Sequence, residues 1–182
     1  ILRMDISLND KEAARHHARQ LLHSDPNNWL ANYALGSLAL NVGELAEAED
    51  YLQLSVESNE SLVAINDLAY AKYLLRKMNE AEKLIRRGLE IDDKLYVLWD
   101  TYGCLKLASR NFDEAEIYLK RSIQLYDGDL RPHLHLAQVY YNTQRYEECR
   151  EVMRRLSVSA DSFIGRDREE YDALTQALIG LK

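Results

Sequence analysis

With seven glycines and two prolines in 182 residues, the chain is too poor in turn formers for a β-rich or disordered protein. A net charge of −7 argues against a general nucleic-acid binder and leaves basic peptides open as partners. No apolar run reaches the roughly 18 residues that would span a membrane. The two cysteines, Cys104 and Cys149, lack paired spacing, so neither a disulfide framework nor a zinc site is expected and no metal or other cofactor is assigned.

In chain order, residues 1–8 carry Leu2, Met4 and Ile6 and read as a helix remnant or a ragged end. Asp10 to His23 follows as a helix with Ala14, Ala18, Leu21 and Leu22 on one face. Asp25–Pro26–Asn27–Asn28 is a turn and helix start, because proline fits a first turn and breaks an interior. Four helix pairs are expected next, over 29–60, 62–93, 96–127 and 130–157, with internal breaks at or near Gly43, Asn79, Asn111 and Thr143. In the tail, 161–182, Tyr171, Leu174, Ala177, Leu178 and Leu181 form an apolar stripe behind the acidic turn of Asp167, Glu169 and Glu170. This segment reads as a closing helix, with a partial further repeat as the alternative.

A ladder of small residues organises the whole. Ala14, Ala48, Ala81, Ala115 and Cys149 are spaced 34, 33, 34 and 34 apart, and Gly36, Ala69, Gly103 and Ala137 stand twelve positions before the last four. Helices approach closely only where side chains are small, so Gly103 and Ala115 mark an expected contact. Glu47, Glu80, Glu114 and Glu148 precede the ladder residues; Leu45, Met78, Phe112 and Tyr146 stand two before those; Leu52, Ile85, Leu119 and Met153 follow four after the ladder.

A 34-residue helix–turn–helix period carried by LANYALGSLALNVGELAEAEDYL, INDLAYAKYLLRKMNEAEKLI, WDTYGCLKLASRNFDEAEIYL and HLHLAQVYYNTQRYEECREVM resembles the tetratricopeptide repeat family. The resemblance implies an all-α, right-handed α-solenoid of stacked antiparallel helix pairs, one array over 1–182 whose first repeat, 1–28, is incomplete. Two departures are mild: a single inter-repeat proline, Pro26, and Cys149 in place of alanine. Projected backwards, the repeat puts Ile1–Ile6 in the second half of a first helix, so the chain looks cut from something longer.

The resemblance further implies that the first helix of each pair lines a concave side. Taken as the residues opposite the packing rows, that lining comprises Leu30, Tyr33, Ser37 and Asn41; Val63, Asn66, Tyr70 and Tyr73; Val97, Asp100, Cys104 and Leu107; and Arg131, Leu134, Gln138, Tyr141 and Asn142. Tyrosines supply apolar area at little rotamer cost and amides bond a peptide backbone in both directions, which suits an extended peptide or a helix. Some family members grip a chaperone's C-terminal carboxylate with lysine, arginine and asparagine there; only Arg131 is cationic here, which disfavours that mode.

On the second helices, Arg19, Arg86–Arg87, Lys120–Arg121 and Arg154–Arg155 could form a basic stripe, but Glu82, Glu116 and Glu151 precede basic residues by four, which favours pairing within the helix. His16–His17 and His133/His135 point apart on a helix, and Cys104 reads as packing. No nucleophile elbow, phosphate loop or dinucleotide motif occurs, so no catalysis is expected. The expected function is a non-catalytic scaffold for a protein or peptide. The alternatives are a self-assembling segment of envelope or pilus type, hence a homo-oligomer, and the regulatory arm of an enzyme whose catalytic domain lies outside these residues. Compartment is left open.

Overall fold

The computed structural model describes residues 8–181, which are helical with no strand among them. Leu2, Met4 and Ile6 lie outside the described residues. Two compact units, 1–92 and 93–182, divide the chain. In the first are α1 (Leu8–Ser24), α2 (Trp29–Val42), α3 (Leu45–Ser58), α4 (Leu62–Leu74) and α5 (Met78–Ile91). In the second are α6 (Tyr96–Ala108), α7 (Phe112–Leu125), α8 (Arg131–Asn142), α9 (Tyr146–Ser157), a 3-10 turn (Ala160–Ser162) and α10 (Gly165–Ile179). Helices pack as the pairs α2/α3, α4/α5, α6/α7 and α8/α9; α3 also meets α4, α7 meets α8, and the first helices touch each other, α2 with α4 and α6 with α8. The fold is thus all-α, of stacked helix pairs.

The pairs close where their residues are smallest. A Cβ added to Gly36 would lie 2.6 Å from Leu52 Cγ, and one added to Gly103 would lie 2.5 Å from Leu119 Cγ. The helix opposite Gly103 therefore presents Leu119, one turn beyond the expected Ala115. Ala48, Ala69, Ala81, Ala115, Ala137 and Cys149 are fully buried, as are Leu52, Ile85 and Leu119. Buried serines tie the second helix to the start of its own first helix: Ser55 donates to the Trp29 carbonyl and Ser122 to that of Tyr96, each at 2.9 Å. Three of the four recurrent glutamates have a matching role. Glu80 accepts from Lys72 at 2.7 Å, Glu114 lies 3.1 Å from Lys106, and Glu148 lies 2.7 Å from Arg145, each joining the two helices of a pair or the turn between them.

All four intra-pair turns share one backbone device. A left-handed residue follows the first helix: Gly43 (φ 83°), Arg76 (64°), Arg110 (59°) and Gln144 (61°). The next amide then reaches back to the carbonyl five residues earlier: Glu44 to Ala39, Lys77 to Lys72 and Asn111 to Lys106 at 2.9 Å, and Arg145 to Tyr140 at 2.8 Å. The sequence places the first break correctly at Gly43. In the later pairs the reversal falls on Arg76, Arg110 and Gln144; Asn111 and Thr143 adjoin it as expected, whereas Asn79 sits inside the first turn of α5.

At the far end of the second unit, Tyr171 stacks on Phe163 (centroids 5.4 Å apart), and both join Leu174 in a core with Leu134, Ala137, Met153 and Leu156. The tail's stripe is thus buried at Tyr171 and Leu174 of α10, half-buried at Ala177 and Leu178, and exposed at Leu181 beyond the helix.

The shared turn predicts opposite signs for two substitutions. At Gly43 a new Cβ meets open space, so Gly43→Ala costs only the backbone term, about 1–2 kcal/mol. Arg110→Gly removes that term at an entropic cost of about 0.5–1 kcal/mol and should leave stability unchanged or raised by up to about 1 kcal/mol. Urea unfolding of the two variants checks both signs.

Candidate functional site

In the first unit, α2 and α4 carry the aromatic and amide residues singled out from sequence. Leu30 is 55% exposed and Asn41 is exposed, whereas Tyr33, Ser37, Val63, Asn66, Tyr70 and Tyr73 are half-buried. The Tyr70 and Tyr73 rings lie 5.8 Å apart, and the Asn66 amide donates to Asp67 at 3.3 Å. Burial and the neighbouring Asp67 push the Tyr33 hydroxyl up to about 12, so it stays protonated and donates toward that carboxylate.

A four-charge network links α3, α4 and α5. Lys72, 8% exposed, donates to Glu49 and Glu80 at 2.7 Å, and Lys77 donates to Glu49 at 2.6 Å. Burial works against the Glu49 charge, but hydrogen bonds from Lys72 and Lys77 outweigh it and hold the carboxyl below its ordinary value. The same balance, through Glu49 and Glu80, holds Lys72 above its ordinary value.

The second unit arranges its first helices differently. Leu134 is fully buried and belongs to the core; Asp100, Cys104 and Val97 are buried too. Their side chains are not offered to a partner, which corrects the expected lining. The cause is angular. Each residue turns a helix by about 100°, so a position three before the small row lies only about 60° round from it, beside the packing row and not opposite. Tyr33 and Asn66 hold that same position in the first unit and are correspondingly half-buried.

Other members of the expected lining are engaged within the unit. Arg131 forks onto Asp129 through Nε at 3.1 Å and through its backbone N–H at 3.0 Å, and Tyr96 donates to the same carboxylate at 3.2 Å. Burial opposes the Asp129 charge, but Arg131 outweighs it and keeps the carboxyl below its usual value. Gln138 donates to Glu170 of α10 at 2.9 Å. Tyr141 meets Tyr146 edge-on at 5.7 Å, Leu107 is half-buried against the core, and exposed Asn142 donates to the Gln138 carbonyl at 2.7 Å.

A buried polar cluster joins α6 to α8. His135 Nδ1 lies 2.8 Å from Asp100 Oδ1 and 3.2 Å from Cys104 Sγ, while its Nε2 faces Glu170 Oε2 at 3.9 Å. Burial pushes the Cys104 thiol up. Burial also disfavours a charge on His135, but Cys104 and Asp100 outweigh it and hold the imidazole well above its ordinary value. The expected lining includes Asp100 and Cys104 together but leaves out His135. The available signal was the four-residue spacing of Asp100 and Cys104, one helical face, with His135 standing 34 residues after Thr101 on the next first helix.

Most of the basic residues on the second helices pair within their own helix, as expected, while Arg87 reaches Glu60 outside its helix and Arg121 donates to Gln124. Arg86 donates to Glu82 at 2.7 Å, Lys120 lies 2.6 Å from Glu116, Arg155 donates to Glu151 at 3.1 Å, and Arg87 and Arg154 bond Glu60 and Glu151. Surface pairs of this kind contribute about 0–1 kcal/mol each.

Two family models, both described as tetratricopeptide repeat, match residues 6–61 and 106–178. No curated protein sequence matches the chain significantly. Among solved structures, TTC0263, a thermophilic repeat protein of Thermus thermophilus, aligns with a TM-score of 0.76 at 19% identity, over 93% of this chain and 92% of that one. PilW, a widely conserved type IV pilus biogenesis factor, aligns at 0.74 and 17% identity, over 96% and 88%. A chain of the APC/C hetero-tetramer Cut9–Hcn1 aligns at 0.79 and 15% identity, over 93% of this chain but 34% of that one. At such identities the likeness concerns the fold.

The Glu49 network yields a pH prediction. A carboxyl depressed in the folded state contributes stability that is present above its unfolded value of 4.5 and lost as pH falls through the folded value. Glu49→Gln should cost about 1–3 kcal/mol at pH 7, since it strips the buried Lys72 of one partner. In chemical denaturation from pH 7 to 3, the gap between the two proteins should shrink below pH 4.5; a gap constant to pH 3 would contradict this assignment.

Proposed function

Because the chain belongs to the tetratricopeptide repeat family, whose fold serves as a protein-interaction scaffold and is typically non-catalytic, we propose that the α2/α4 face of its first unit holds a peptide or helix of a partner protein. The observation that carries this reading is the combination of exposed Leu30 with half-buried Tyr33, Asn66, Tyr70 and Tyr73 on two first helices in direct contact. Leu30 supplies apolar area in the open. Tyr70 and Tyr73 supply more, with few rotamers to lose on binding, and Asn66 carries both a donor and an acceptor. A protein partner, not a nucleic acid, fits the net charge of −7.

A second reading, self-assembly of envelope or pilus type, draws on Leu54 of α3, which is 41% exposed. The role of PilW in pilus biogenesis belongs to that protein and adds only a likeness of fold. Light scattering across micromolar concentrations separates the two readings, because self-assembly requires the mean mass to rise with concentration.

Selection of binders from a random-peptide display library, followed by fluorescence anisotropy on the winners, tests the first reading. Asn66→Ala/Tyr70→Ala/Tyr73→Ala, and separately the milder Leu30→Asp, should weaken binding by at least about tenfold, the loss of about 1.4 kcal/mol or more. Both should keep a wild-type circular dichroism spectrum. Undiminished binding in both folded variants would place the partner elsewhere.

A further inference from the structure

We propose that Asp100, Cys104 and His135 form a binding site for a divalent transition-metal ion of the zinc or cobalt type, cross-linking α6 to α8. A carboxylate oxygen of Asp100, Cys104 Sγ and one ring nitrogen of His135 all lie within 4.8 Å of one another, and all three residues are buried (7%, 5% and 7% exposed). The convergence is on a single atom. Nδ1 of His135 lies within hydrogen-bond reach of both the carboxylate and the sulfur, at 2.8 and 3.2 Å, yet an imidazole nitrogen carries at most one proton. One N–H does not make two well-directed bonds. A metal ion replaces that proton and is shared by all three atoms. In a tetrahedral zinc site, bond lengths near 2.0 Å to nitrogen and oxygen and 2.3 Å to sulfur put ligand atoms about 3.3–3.5 Å apart. The two separations to Nδ1 need to open by about half an ångström or less to reach those values.

Charge and surroundings agree with this assignment. A dication with one thiolate, one carboxylate and a neutral imidazole is electrically neutral, which suits a buried position. Thiolate and imidazole together select zinc or cobalt over magnesium or calcium. On the far side of the ring, His135 Nε2 faces Glu170, which is held by Gln138 at 2.9 Å and Arg166 at 2.7 Å. A ligating histidine commonly offers its other N–H to a carboxylate, which fixes the ring's orientation and tautomer. The three protein ligands leave a fourth position for water or the second Asp100 oxygen. Binding releases the Cys104 thiol proton and any proton on Nδ1. A nucleophilic role suits Cys104 less well, because its sulfur is buried.

Titration of the reduced, metal-stripped full chain with Co2+ tests the site. The expected result is a thiolate-to-cobalt charge-transfer band with intense visible d–d bands, saturating at one ion per chain and bleached by Zn2+. Saturating Zn2+ should also raise the melting temperature by about 5 °C. Cys104→Ser should abolish the charge-transfer band, Asp100→Asn should weaken binding at least about tenfold, and Cys149→Ser should leave both unchanged. Absence of the band in the wild-type chain at millimolar Co2+ would overturn the proposal. So would its survival in Cys104→Ser, or its loss in Cys149→Ser when circular dichroism shows that variant folded.

Discussion

Close approach of two helices at a glycine or alanine is the constraint on which each pair depends. At Gly36 and Gly103 the facing leucine occupies the space a side chain would fill, and every ladder position from Ala48 to Cys149 is fully buried. Packing of that tightness converts a 34-residue sequence period into a structural one, because the row of small residues fixes how far the second helix slides along the first. The turn reinforces it. A left-handed residue and a bond back to the carbonyl five residues earlier recur in all four pairs, on glycine once and on arginine or glutamine three times. Three pairs accept the strain of a non-glycine at that position, roughly 1–2 kcal/mol each, while closing the first helix in the same way.

Polar contacts between successive first helices form a second recurring layer, with different chemistry in each unit. In the first, Tyr33 of α2 offers its hydroxyl to Asp67 of α4. In the second, Asp100 and Cys104 of α6 meet His135 of α8, and His135 and Gln138 in turn meet Glu170 of α10. Glu170 engages α8 much as His135 engages α6, so α10 covers the last pair with polar as well as apolar groups. Buried polar groups of this kind are costly unless partnered, and their partners here lie on the neighbouring helix.

Most of the fold was legible in the sequence because small side chains and apolar rows repeat at a period that only stacked helix pairs explain. The ladder and the apolar stripe of the tail both follow from side-chain size and spacing. The turn residues were less legible: asparagine and threonine near a break advertise caps, whereas Arg76 and Gln144 carry no mark of a left-handed conformation. The expected site face is buried at Val97, Asp100, Cys104 and Leu134, since a helix in a stack is covered by its own partner and by neighbours on either side. Counting a single packing row overstates what remains open. The Asp100–Cys104–His135 cluster was illegible for a related reason: its members come together only when one repeat is laid against the next.

Replacement of Gly103 by alanine, compared with the same change at Gly180, tests the central constraint by sign. Helix propensity alone makes Gly103→Ala stabilising by about 0.5–1 kcal/mol. Contact with Leu119 makes it destabilising by about 1–3 kcal/mol, while Gly180→Ala, whose new Cβ would meet nothing nearer than 3.6 Å, stays within about 0.5 kcal/mol of wild type. Urea unfolding that finds Gly103→Ala clearly less stable, and Gly180→Ala unchanged, is the expected result. A Gly103→Ala chain as stable as the wild type, or more so, would mean the helices do not nest through their smallest residues.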